Sequence, residues 1–182
     1  MRTFATPRDL AYSGLFGAAA LLMPVLFHMV QLGRWFMPMY LPLVALGFFA
    51  RPGPAALTAV IVPLLSAAFT GMPPFYPPVA LLMAVELAIM TAIIAAVVGR
   101  RPGVNPWLLL VPVLALGRVL YVGMVYGLAQ AIDLPAAFVA GASFVAGWPG
   151  LILMLVVIPP LSRLARPRRG ALHVNEPEEP NE

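Results

Sequence analysis

Long apolar runs, cut at intervals by clusters of proline, glycine and arginine, set the pattern of this chain. The breakers are Gly33-Arg34, Arg51-Pro-Gly-Pro54, Gly71-Met-Pro-Pro-Phe-Tyr-Pro-Pro78 and Gly99-Arg-Arg-Pro-Gly-Val-Asn-Pro106. The apolar sequence as a whole divides into six runs, at residues 9–31, 37–50, 54–71, 77–99, 106–131 and 135–164. A bilayer core takes about 20 helical residues to cross, so the pattern predicts an all-α integral membrane protein with six transmembrane helices. The second and third runs are the short ones. Thr6-Pro7-Arg8-Asp9 supplies an N-cap, a proline at the first helical position and an acid in the first turn. The run from Ala11 to Val30 is therefore expected to be a retained span rather than a secretory leader. From Pro167 on the periodicity stops, and residues 167–182 read as a solvated, disordered tail.

Composition agrees with the pattern. Apolar residues make up 62% and charged ones 10%, with a mean hydropathy of +0.93, against about 45–50% and about 25% in soluble domains. No soluble domain fits in what remains of the 182 residues. With no cysteine, and with His28 and His173 far apart, thiolate or histidine metal sites and cysteine nucleophiles are not expected. No cofactor is expected either.

All eleven basic residues are arginine. Six crossings put Arg2, Arg8, Arg51, Arg100, Arg101, Arg163, Arg166, Arg168 and Arg169 on one side, leave Arg34 on the other, and hold Arg118 within a span. The positive-inside rule then places both termini in the cytoplasm of a multi-pass protein of the cell (inner) membrane. The net charge of +4 thus reflects topology, and a nucleic-acid partner is not expected.

Glu86 is the only acid between Asp9 and Asp133, and it lies in an otherwise apolar run. Insertion of such a charge costs at least about 2.5–3.5 kcal/mol, so it needs a partner or a task. Counted from Pro78, Glu86 is about 12 Å deep; counted from Pro106 on the opposite side, Arg118 is about 18 Å deep. In a core about 30 Å thick those depths coincide. The two can form an ion pair that only fixes helix packing, or can face one cavity and hold a polar solute. Tyr121 follows on the face of Arg118. The outer segments 31–42 and 71–78, with Arg34, Trp35, Tyr40, Phe75 and Tyr76, read either as an interfacial aromatic belt or as a lid and wall over a pocket. Small residues four apart, Gly14 with Ala18, Ser13 with Gly17, and Ser143 with Gly147, suit close helix packing, and the dense small face of the first run suggests a partner helix.

Five segments taken in order carry a resemblance. They are Leu32-Gly-Arg-Trp-Phe-Met-Pro-Met-Tyr-Leu-Pro-Leu-Val-Ala-Leu-Gly47, Pro63-Leu-Leu-Ser-Ala-Ala-Phe-Thr-Gly-Met-Pro-Pro74, Val85-Glu-Leu-Ala88, Gly117-Arg-Val-Leu-Tyr-Val-Gly123 and Pro149-Gly-Leu-Ile-Leu-Met-Leu-Val-Val-Ile-Pro159. Over residues 11–165 the chain resembles the substrate-binding S component of an energy-coupling factor (ECF) transporter. The resemblance implies six helices with cytoplasmic termini and an outward pocket for a water-soluble vitamin, vitamin precursor or nucleobase-like solute. It implies that Gly14 and Ala18 meet a transmembrane coupling subunit, and that a pair of ATPase subunits, not this chain, hydrolyses ATP. Glu86 stands at the family's Glu-Leu-Ala and Arg118 at its Gly-Arg. At Tyr40 the chain departs from the histidine that often follows Pro-Met. Two other classes compete: a non-transporting membrane scaffold with a solid interior, and a membrane enzyme acting on lipid, which would need clustered acid, base or nucleophile groups.

Overall fold

Six helices form among the described residues, which in this computed structural model are 5–29, 36–130, 132 and 147–164. They are α1 (Pro7–Met29), α2 (Tyr40–Leu46), α3 (Pro52–Thr70), α4 (Val79–Arg100), α5 (Pro106–Ala129) and α6 (Trp148–Leu164). Local chemistry sets their ends. Thr6 and Asp9 cap α1 reciprocally: the Asp9 amide donates to Thr6 Oγ1 at 3.2 Å, and the Thr6 amide donates to Asp9 Oδ2 at 2.8 Å. Proline opens α3, and Gly71 closes it in the left-handed region, donating to the Ala67 carbonyl at 3.0 Å. At α5, Asn105 Oδ1 accepts from the Trp107 amide ahead of Pro106 in the first turn.

Helices α1, α3, α4 and α5 are each long and apolar enough to cross a membrane. Their outer surfaces are consistent with that. Leu15, Leu22, Phe69, Leu81, Leu108 and Val119 are all more than half exposed, an arrangement that lipid accepts and that water penalises. The 37–50 run departs from the expected crossing. Only Tyr40–Leu46 is helical, and seven residues rise about 10 Å, too little to cross a bilayer. All seven are buried, because α2 sits inside the bundle against α1, α3, α4 and α6. The 135–164 run is not one helix either. Gly147 takes φ +79°, and the helix starts at Trp148, leaving the 17 residues of α6. Residues 133–146 and the 167–182 tail lie outside the described residues.

Packing is densest between α3 and α4, which the 71–78 loop joins as antiparallel neighbours. At the far end of that pair, Asp9 ties the start of α1 to the start of α3. Its carboxylate accepts from the Arg51 amide at 3.0 Å and from Arg51 Nε at 2.8 Å. Arg8 and Arg51 therefore share an end of the bundle with Arg100, in the last turn of α4. Helix α1 is peripheral, with most of its residues exposed or only partly buried. It contacts the rest through Gly17, set against Thr58 and Val62, and through a ring cluster of Tyr12, Phe16 and Phe49 with centroids 5.0–6.4 Å apart.

Candidate functional site

Glu86 and Arg118 sit on facing helices, seven residues into α4 and twelve into α5, and both are almost wholly buried. They line one small cavity together with Met37, Tyr40, Met90, Leu114, Leu151 and Met154. Those eight residues come from α2, α4, α5 and α6 and from the turn before α2. The short α2 therefore has a positional role, since it delivers Tyr40 to the middle of an apolar bundle.

The polar contacts are specific. Tyr40 Oη donates to Glu86 Oε2 at 2.5 Å, so Tyr40 is the hydrogen-bond partner of the isolated acid. Arg118 Nη2 donates to Met37 Sδ at 3.3 Å. Glu86 and Arg118 share the cavity wall without a direct ion pair. Among the described residues the ion pair is Arg51 with Asp9. Of the two arrangements open from sequence, the charges adopt the one across a common space.

Glycine makes the close approach possible. A Cβ at Gly117 would collide with Met90 Sδ and come within 3.0 Å of Glu86 Oε1, so α5 meets α4 at the acid only because this residue has no side chain. On the opposite wall, a Cβ at Gly147 would lie 2.6 Å from Arg118 Nη2, and one at Gly150 would lie 2.5 Å from the Phe36 carbonyl oxygen. Met37 itself takes φ +45°, a region that non-glycine residues rarely occupy.

The remaining sequence-selected residues fall into three groups. Tyr121 is partly buried and interacts electrostatically with Glu86 and Arg118, but it does not line the cavity. Phe75 and Tyr76 are 51% and 67% exposed at the 71–78 loop, away from the cavity wall. Arg34 and Trp35 lie outside the described residues. On α1 the two small pairs separate: Gly14 and Ala18 are exposed, and a Cβ at Gly14 would meet nothing, whereas Gly17 is buried against α3 and Ser13 is partly buried.

Several wall residues went unnoticed in the sequence. Met37, Met90 and Met154 give the cavity three thioethers, yet in so apolar a chain a methionine carries no signal of its own. Gly117 was signalled only by its place before Arg118. The room left is small, about 10 Å³ for the centre of a water-sized sphere, which is roughly what one water molecule requires. Among the described residues no group of three or more histidine, aspartate or glutamate side chains could hold a metal ion. No protein-family model, no curated protein and no solved structure matches this chain.

Proposed function

We propose that this chain is the substrate-binding S component of an ECF-type importer. In this reading it captures a small water-soluble vitamin, vitamin precursor or nucleobase-like solute on the outer side and delivers it inward with a coupling subunit and a pair of ATPase subunits. The observation that carries the reading is the convergence of Tyr40, Glu86 and Arg118 on one cavity. These residues come from three separate segments of the resemblance, and buried ionisable groups inside a membrane bundle mark solute paths by default. Arg8, Arg51 and Arg100 at one end of the bundle support that end as the cytoplasmic one. The exposed Gly14 and Ala18 support α1 as the coupling surface.

The test is purification from membranes without added solute, followed by mass spectrometry of what co-purifies, with co-expressed coupling and ATPase subunits as bait. A stoichiometric small molecule that is lost in Arg118→Ala, at normal membrane levels, supports the reading. Full retention of that molecule by Arg118→Ala refutes the role of the arginine. The small size of the cavity favours a second reading, a non-transporting scaffold in which the polar cluster only fixes helix packing. That reading expects neither a co-purifying solute nor an ATPase partner.

A further inference from the structure

We propose that the arginine-bearing end of the bundle is a binding surface for the headgroups of anionic phospholipids. It lies apart from the cavity and does not depend on what the cavity takes.

The topology gathers the arginines. Asp9 joins Arg51, at the start of α3, to the start of α1, where Arg8 is exposed. Antiparallel pairing with α3 brings the end of α4 to the same level, with Arg100 and Arg101 exposed. Just beneath, Ala50, Ala55 and Ala95 form one buried cluster with Tyr12 packed on it. Helix α6 runs back along α5: Met154 and Leu114 share the cavity wall, Arg163 lies about 13 Å beyond Met154, and Pro106, which opens α5, lies about 12 Å before Leu114. Arg163, also exposed, therefore reaches this end.

Positive charge dominates there. Among the described residues Asp9 is the acid at this end, and it is already engaged by Thr6 and Arg51. Arg51 gives only its Nε to Asp9 and keeps 40% of its side chain exposed. Arg8 leans over the Tyr12 ring, with its guanidinium carbon 5.4 Å from the centroid, which holds this cation at the rim of the bundle. Guanidinium groups stay charged at any physiological pH and match phosphate with paired N–H donors.

The surface beside the arginines identifies the occupant. Leu10, Leu57 and Leu108, within the first two turns of α1, α3 and α5, are each at least half exposed, and Trp107 is exposed at the same level. Acyl chains cover such leucines in a bilayer, tryptophan favours the interface, and the headgroups of the same lipids then lie at the arginines. A soluble acidic partner would meet the charges and leave the leucines uncovered. The acids of the chain's own 176–182 segment, Glu176, Glu178, Glu179 and Glu182, come with no leucine or aromatic residue to cover them either. A zwitterionic headgroup carries a phosphate too, but its own cation offsets it, so the surface selects lipids of net negative charge.

Native mass spectrometry of the full chain in a nonionic detergent, titrated with phosphatidylglycerol and with phosphatidylcholine of the same acyl chains, tests the proposal. Phosphatidylglycerol is expected to bind at least about 10-fold more tightly, with the difference shrinking as ionic strength rises. Arg8→Gln and Arg101→Gln are each expected to weaken phosphatidylglycerol about fivefold, the contribution of one arginine near an anionic surface, and to leave phosphatidylcholine unmoved. Arg8→Lys and Arg101→Lys, which keep the charge, are expected to keep most of the preference. Equal affinity for the two lipids overturns the proposal, as does a preference that neither glutamine variant reduces. Neutralising Glu176, Glu178, Glu179 and Glu182 to glutamine in the full chain is expected to change neither affinity. A preference that emerges only in that variant overturns the proposal, because the chain's own acids then hold the surface.

Discussion

Replacing Tyr40 by phenylalanine removes one oxygen and leaves the ring in place, so it isolates the hydrogen bond to Glu86. Both residues are buried, Tyr40 at 6% exposure and Glu86 at 2%, so bulk water does not reach the carboxylate that has lost its donor. Interhelical hydrogen bonds in membrane bundles couple by about 0.6 kcal/mol on average and about 1.7 kcal/mol at most. Bonds to charged groups in proteins contribute about 1.5–3 kcal/mol. A wholly buried tyrosine-to-carboxylate bond belongs where those ranges meet, near 1.5 kcal/mol. In a chain of this length each kcal/mol moves the midpoint by about 2–4 °C, so Tyr40→Phe is expected to lower Tm by roughly 3–6 °C. The assay is thermal unfolding in detergent, followed by circular dichroism, for Tyr40→Phe, Glu86→Met and the double variant. Non-additivity of about 1.5 kcal/mol is the expected result. Losses that add to within about 0.5 kcal/mol, the behaviour of independent sites, would show that the two side chains do not act as a pair.

Three further outcomes are expected. Asp9→Ala removes the acidic half of the reciprocal α1 cap, costing about 0.5–1 kcal/mol. It also removes the acceptor for the Arg51 amide and side chain, which adds about 1 kcal/mol more because Arg51 is 40% exposed and screened by solvent; a Tm within error of wild type would refute the tie between helices. Gly117→Ala pushes a methyl into Met90 and toward Glu86 and is expected to cost about 1–3 kcal/mol, read as a Tm loss that Met90→Ala partly rescues. Gly14→Leu with Ala18→Leu is expected to keep wild-type Tm while abolishing co-purification with a coupling subunit, whereas Gly17→Leu is expected to destabilise the bundle through Thr58 and Val62. Intact co-purification of the first variant would remove α1 as the coupling surface.

The meeting of Glu86 and Arg118 was legible because depth along a helix follows from residue count alone, and charge in an apolar run is conspicuous. The 37–50 run was not. A helix that is apolar all round reads the same whether lipid or protein surrounds it, and only tertiary packing shows that α2 is enclosed by four neighbours. The small pairs on α1 illustrate a similar limit: Ser13 with Gly17 and Gly14 with Ala18 differ by one position, about 100° of rotation, and nothing local says which turns outward. Tyr40 stood out among the aromatics of the 31–42 segment, but its partner did not, since hydrogen bonds between residues 46 positions apart leave no periodic trace. Met37 lacked any signal, because a methionine before a proline gives no indication of a positive φ.

The spacing of the two charges bears on which reading the site favours. Buried ions lose their hydration, and mutual attraction repays that loss only where the geometry is close and well satisfied. A cluster serving only to fasten α4 to α5 would therefore gain most from direct contact between Glu86 and Arg118, and their similar depths would allow it. Instead the carboxylate turns to a tyrosine hydroxyl, and the guanidinium has a thioether among its contacts, with a cavity wall shared between them. Attraction between the charges is left partly unrealised at a place where the helices are already held by close glycine contacts. An Arg118→Ala variant at normal membrane levels separates the two readings: retention of a co-purified solute leaves fastening as the role of the pair, and loss of that solute favours a site for a polar guest.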